Sequence, residues 1–177
     1  YYRLEYKDEN EFIGNLLAEI SLIKNSRIDI ENFYSGVCGE EIFRDIYKKY
    51  ETRLKENRLI DFDDMLSYTY ELFKERPDIL ALWQNKYKYI LIDEFQDINR
   101  LQYEIIKMLA APQNNLFIVG DDDQSIYGFR GADSSIFKEF SRKYPGSVQI
   151  ILGTNYRSLP YIIEGADKVI RNNENRI

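Results

Sequence analysis

Asp93 and Glu94 stand side by side at the end of the apolar run Tyr89-Ile90-Leu91-Ile92, within the string YILIDEFQD. A short apolar run bounded by charge predicts a fully buried parallel strand. In an open α/β sheet the C-terminal end of such a strand faces the ligand crevice. One carboxylate there can hold Mg²⁺ beside a nucleotide's phosphates, and its neighbour can position or deprotonate an attacking water. The same two residues would also serve simply to open a solvated loop. A second run, Leu116 to Val119, stops at Gly120 and the trio Asp121-Asp122-Asp123. Successive strand residues point to opposite faces, so three neighbouring aspartates cannot share one metal without a tight turn, and no metal cluster is expected there.

Composition narrows the chemistry. The chain has 177 residues, 44% hydrophobic and 31% charged, which suits one globular domain or one and a fraction with a substantial core. Its net charge of -6 gives no overall basic field, so any contact with nucleic acid must be local. With a single cysteine, Cys38, and no histidine, a disulfide framework, the usual zinc sets and histidine-based triads are excluded. A reducing, intracellular setting fits best, and the cytoplasm is the expected location. No apolar run approaches the ~20 residues that span a bilayer, so no membrane partner is expected. The chain opens on Tyr1, not methionine, which suggests a piece of something longer.

The elements that must position these carboxylates can be read from periodicity. From Asp8 to Lys24, Phe12, Ile13, Leu16, Leu17, Ile20 and Ile23 fall at helical spacing. After a loop containing Asn32, Ser35, Gly36 and Gly39, the pattern resumes from Ile42 to about Asn57, so the first third reads as all helix. Its tyrosines and phenylalanines share the aliphatic stripe and are expected in the core. Asp61 to Asp64 can cap a helix through Phe73, and Pro77 suits the start of another through Trp83. Asn99 to Ala110 and Ser134 to Tyr144 are predicted helices, and Val148 to Leu152 is a predicted third strand. Thr154 or Ser158 is expected to cap a last helix, Leu159 to Asn172. Strands alternating with helices argue for an α/β fold with a parallel sheet flanked by helices.

Three strings together resemble a known family. YILIDEFQD at 89 to 97, VGDDDQSIYGFRGAD at 119 to 133 and LGTNYRS at 152 to 158 resemble motifs II, III and IV of the UvrD/Rep/PcrA group of superfamily 1 helicases. The segment IDFDDML at 60 to 66 resembles the point where that family's helical insertion returns to its first motor domain. The resemblance implies a partial RecA-like P-loop fold: residues 1–58 as part of the insertion, 59–153 as the later part of the first motor domain, 154–177 as the start of the second. It implies Asp93 as the Mg²⁺ ligand, Glu94 as the base that activates water, and Gln124 as the sensor of the γ-phosphate. It further implies Tyr156 packing on adenine, Arg157 reaching the γ-phosphate across a cleft, and Tyr127, Phe129 and Arg130 on single-stranded DNA. Many relatives carry a tryptophan and a basic residue where this chain has Phe129 and Gly128. Stacking survives that departure in weakened form, and one phosphate contact is lost.

The implied activity is ATP-dependent movement on DNA, 3′ to 5′, with ATP and Mg²⁺ as cofactors. Its implied partners are single-stranded DNA, junctions of single- and double-stranded DNA, and the remainder of a helicase chain. No glycine here is followed by lysine, so the phosphate-cradling loop GxxxxGK[ST] is absent from these residues. In the family that loop and its strand lie upstream, and the strand sits between those matching Leu116–Val119 and Val148–Leu152. The latter two are therefore expected not to pair directly but to lie ~9 to 10 Å apart. The competing class is a helicase-like protein that binds DNA or partners without hydrolysis. A Mg²⁺ nuclease built on the aspartates is disfavoured, because adjacent carboxylates on a strand do not converge.

Overall fold

The computed structural model describes residues 9–128, 131–133 and 135–172. Four helices come first: α1 (Glu9–Ser26), α2 (Glu40–Glu56), α3 (Phe62–Glu75) and α4 (Pro77–Lys86). Strand β1 (Ile90–Ile92), α5 (Arg100–Ala110) and β2 (Leu116–Ile118) follow, and α6 (Ser135–Lys143) and α7 (Pro160–Ile170) close the described chain. The result is mostly helical, with a two-stranded parallel sheet.

The helix boundaries follow the local chemistry. Asp61 caps α3 and Asn99 caps α5, each in a reciprocal capping box with the residue three positions on, Asp64 and Gln102. Such boxes satisfy two otherwise orphaned backbone donors at a helix start. Pro77 stands in the first turn of α4, which runs one turn beyond the expected Trp83.

Three apolar clusters hold these elements. Leu16, Ile20 and Ile23 of α1 meet Phe43 of α2, with Tyr47 and Tyr50 half-buried against them, whereas Tyr34 is exposed, so the expectation of aromatic residues in the core holds for Phe43 and not for Tyr34. Phe73, Leu101 and Ile105 join α3 to α5, with Ile79 and Leu80 of α4 at the margin. The third cluster sets Phe95, Ile98, Tyr103 and Ile136 beneath the sheet, with Ile92, Ile118, Phe137 and Phe140 packed on it.

A polar junction binds α1 to α3 and α5. Lys24 is buried, and its Nζ lies 2.7 Å from each of Glu51 Oε1, Asp61 Oδ2 and Asp64 Oδ1. Burial alone would lower this ammonium's pKa, but the bonds to Asp61, Asp64 and Glu51 outweigh it and hold the lysine well above its ordinary value. Asp61 shows the mirror effect. Its partial burial opposes ionisation, yet Lys24, the Asp64 backbone and the Tyr50 hydroxyl hold it below the ordinary carboxylate range. Burial and the bond to Asp61 push Tyr50 up to about 12. The next residue, Asn25, donates to Asp63 Oδ1 (2.7 Å) and accepts from Asn99 Nδ2 (3.0 Å). The last turn of α1 thus reaches the N-termini of both α3 and α5.

Three expectations are corrected. The strands are not fully buried: Ile92 and Ile118 face the core, while Leu91 and Phe117 are 70% and 56% exposed. Among the described residues only one sheet face is covered, by the cluster that α5 and α6 share. Residues 148–152 form no strand, and Val148, Ile150, Ile151 and Leu152 are all more than 70% exposed. An apolar run becomes a strand only with a partner for its backbone, and among the described residues this segment makes no backbone–backbone hydrogen bond. Finally, neither Thr154 nor Ser158 caps α7; Leu159 precedes it and Pro160, which has no N–H to satisfy, opens it. Asn155 Oδ1 instead accepts from the backbone N–H groups of Arg157 and Ser158, both at 2.9 Å.

Candidate functional site

β1 and β2 pair in parallel with Ile90, Leu91 and Ile92 opposite Leu116, Phe117 and Ile118, so both acidic segments leave the same end of the sheet. Beyond the strands the two chains stay lashed together. Val119 N–H donates to the Ile92 carbonyl (2.8 Å), and Phe95 N–H donates to the Val119 carbonyl (2.9 Å). A side chain completes the third rung, as Asp121 N–H donates to Gln96 Oε1 at 3.1 Å.

Asp93 and Glu94 are both exposed and sit on a turn, not on the strand, since β1 ends at Ile92. Glu94 adopts the left-handed region (φ 51°, ψ 43°), a conformation that costs about 1–3 kcal/mol for a residue with a side chain. Strand alternation therefore does not govern these carboxylates or keep them on opposite faces. The turn is held internally: Glu94 N–H donates to Asp93 Oδ1 (3.0 Å), and Asp97 N–H donates to the Glu94 carbonyl (2.9 Å). Among the described residues neither Asp93 nor Glu94 has an ion-pair partner.

Across from it, Asp121 caps a 3₁₀ turn, Asp122–Gln124, through its bond from Asp123 N–H (3.1 Å). The turn does not gather the trio: among the described residues no group of three or more carboxylates could hold a metal ion. Gln124 is exposed, and its Nε2 donates to Asp121 Oδ2 at 2.7 Å, which leaves its amide oxygen without a partner among the described residues. Tyr127 follows on the same segment, 38% exposed. Phe129 and Arg130 lie outside the described residues.

The structure brings Asp93, Glu94 and the Asp121–Gln124 turn to one sheet end. It does not bring Tyr156 or Arg157 into contact with them. Both stand exposed in the segment before α7, Tyr156 at 93%, and among the described residues the Arg157 guanidinium has no ion-pair partner.

Gln96 and Gly120 are absent from the sequence-based site, yet they join its two halves. Gln96 is 1% exposed, accepts from Asp121 N–H, and donates from Nε2 to Glu94 Oε2 at 2.7 Å. Gly120 leaves room for it, since a Cβ there would fall 2.7 Å from Gln96 Oε1 and 2.9 Å from the Phe137 ring. No periodicity marks either residue; only their places, just after the carboxylate pair and just before the acidic trio, point to them.

The donor set suits a hard divalent cation. Mg²⁺ takes one or two protein carboxylates and fills its remaining positions with water and phosphate oxygens. Asp93 is exposed at the strand end, and of its two oxygens only Oδ1 is engaged, by a backbone N–H.

Comparison with known proteins decides the family. The UvrD/REP helicase N-terminal domain matches residues 4–145, most of the chain. The chain belongs to this family. It is 49% identical to YjcD of Bacillus subtilis over 171 residues, 96% of this chain. It is 42% identical to the ATP-dependent DNA helicase PcrA of Bacillus subtilis over 92% of its length, and 39% identical to PcrA of Staphylococcus aureus over 93%. It spans 22% of the length of each of these curated relatives. Among the described residues no helix is long and apolar enough to cross a membrane.

Proposed function

We propose that this chain is part of the motor of an ATP-dependent DNA helicase that moves 3′ to 5′ on single-stranded DNA and acts at junctions with duplex. The observation that carries this reading is the pairing of two parallel strand ends, one bearing Asp93-Glu94 and the other the Asp121–Gln124 turn, on a chain of the UvrD/REP family. The two strands would be part of a RecA-like sheet, and the open segment 148–152 would complete it once a further strand lies beside β2.

Asp93 would hold Mg²⁺, which when bound with ATP supplies charge neutralisation at the phosphates. Glu94, exposed beside it, would orient the attacking water and take its proton. Gln124 can donate to a phosphate oxygen or accept from water, and its free amide oxygen supports that role. Tyr156 would stack on adenine. Arg157 has no competing carboxylate among the described residues and would reach the phosphates when the second motor domain closes. Tyr127, Phe129 and Arg130 would bind the DNA strand by stacking and phosphate contact, which is blind to base sequence.

Phosphate release by the complete protein with ATP, Mg²⁺ and single-stranded DNA tests the reading, followed by unwinding of duplexes with a 3′ or a 5′ tail. DNA-stimulated turnover and preference for the 3′ tail are expected. DNA binding without turnover would instead make it a non-hydrolysing relative. The isolated 177 residues, which contain no GxxxxGK[ST] loop, are expected to release phosphate no faster than background.

A further inference from the structure

Gln96 is a buried side chain that hydrogen-bonds to both halves of the site. Its two ends face groups of opposite kind. Glu94 Oε2 only accepts hydrogen bonds, and Asp121 N–H only donates. A carboxamide alone among side chains of this length offers a donor and an acceptor on one rigid plane; glutamate offers only acceptors and lysine only donors. Those two partners also fix which end is which. At 1% exposure water cannot replace a lost bond, so the amide is held by the cost of leaving either end unmade.

The surroundings are built to this amide. Gly120 has no Cβ where one would fall 2.7 Å from the amide oxygen, and the Phe137 ring closes the same space. Gln96 itself lies in the 3₁₀ turn Phe95–Asp97, whose first residue is locked to Val119. Glu94, by contrast, is exposed and sits in a left-handed conformation, and the bond from Gln96 is the one side-chain hydrogen bond its carboxylate makes among the described residues.

We infer that Gln96 is a positioning residue. It sets the Glu94 carboxylate for its work on water and ties that setting to the Asp121–Gln124 turn, so the two strand ends act as one unit. This rests on the reading of Glu94 as the base. A carboxylate released from the amide would sample other rotamers, and misplacement by about 1 Å can cost ~10²-fold in rate.

The test is steady-state ATP turnover by the complete protein with saturating single-stranded DNA, in wild type, Glu94→Gln, Gln96→Met and the Gln96→Met/Glu94→Gln double variant. Gln96→Met keeps size and removes both bonds. It is expected to lower kcat by about 10- to 100-fold while leaving KM for ATP within about twofold. In the Glu94→Gln background the same change is expected to lower kcat by less than about twofold, because its target is already gone. A purely structural role would lower turnover equally in both backgrounds and would overturn the proposal, as would wild-type kcat in Gln96→Met. Should Gln96→Met fail to fold, Gln96→Glu keeps the acceptor toward Asp121 and sets a second carboxylate against Glu94; it carries the same expectations and the same refutations. Glu94→Gln alone judges the underlying reading: full turnover there removes the base and this proposal with it, whereas slow turnover there with unaffected Gln96 variants removes this proposal only.

Discussion

The Lys24 junction and the strand-end site are both acidic clusters joined to one buried polar side chain, and they are opposite in what they leave unused. At the junction, Lys24 lies 2.7 Å from Glu51, Asp61 and Asp64, and two of those carboxylates also cap α3. Each of the three carboxylates meets the one ammonium, so their partner lies inside the fold. At the strand ends, Gln96 is neutral, Asp93 and Glu94 are exposed, and neither has a counter-charge among the described residues. Acidic residues whose partners lie inside the fold hold the fold together. Acidic residues with oxygens left open, such as Asp93 and the amide-bonded Glu94, are available to a cation or a water. The contrast separates Asp61 and Asp64 from Asp93 and Glu94, although both pairs belong to acidic strings of the sequence.

The largest test of this contrast is removal of the lysine. Lys24→Met keeps the stem and strands three carboxylates around a buried site, so it is expected to destabilise the protein by about 3–5 kcal/mol, read by urea unfolding. A loss under about 1 kcal/mol would mean that the junction is hydrated and that its resemblance to a closed ion cluster is superficial.

Gly120→Ala is expected to act more weakly on stability, by about 1–3 kcal/mol, because the added methyl group must displace Gln96 Oε1 or the Phe137 ring. The same variant is expected to slow DNA-stimulated turnover, since it moves the amide that holds Glu94. Wild-type turnover together with the stability loss would detach Gly120 from the site.

The smallest effect is that of pH on the junction. Asp61 is held below its ordinary value, so its contribution is present above the unfolded carboxylate range and is lost as pH falls through its folded value. Lys24 is held above its ordinary value, so its contribution is complete below the unfolded lysine range and fades only as pH rises through its folded value. Between these limits neither group gives a slope. Unfolding midpoints of wild type and Asp61→Asn are therefore expected to differ by a constant amount at mid-range pH and to converge in acid. A difference that persisted at the lowest pH would show that the effect of the substitution does not come from the Asp61 charge.

How far the sequence foretold this arrangement depends on the range of the interaction. Helical periodicity is local, so α1 to α5 lie where the apolar stripes place them, and the caps at Asp61 and Asn99 and the proline of α4 are local signals too. The acidic strand ends were legible because strand and charge adjoin in the chain. What failed depends on distant partners. Val148 to Leu152 is apolar at four of its five positions, but a strand needs a neighbour, and none of the described residues supplies it. Lys24 reads as an ordinary basic residue in a last helical turn until Asp61 and Asp64, 37 and 40 residues on, close around it. Gln96 reads as a loop residue because its acceptor end is spoken for by a residue 25 positions away.

The central claim, that the open carboxylates at the strand ends do chemistry while the closed ones hold the fold, is tested most directly by Glu94→Gln in the complete protein. DNA-stimulated ATP turnover, ATP binding and the unfolding midpoint are measured on the same preparation. Turnover is expected to fall by at least ~10²-fold, the scale of a lost general base, with ATP binding nearly intact and stability changed by no more than about 0.5 kcal/mol. Wild-type turnover, or a loss of stability comparable to that of Lys24→Met, would contradict the claim.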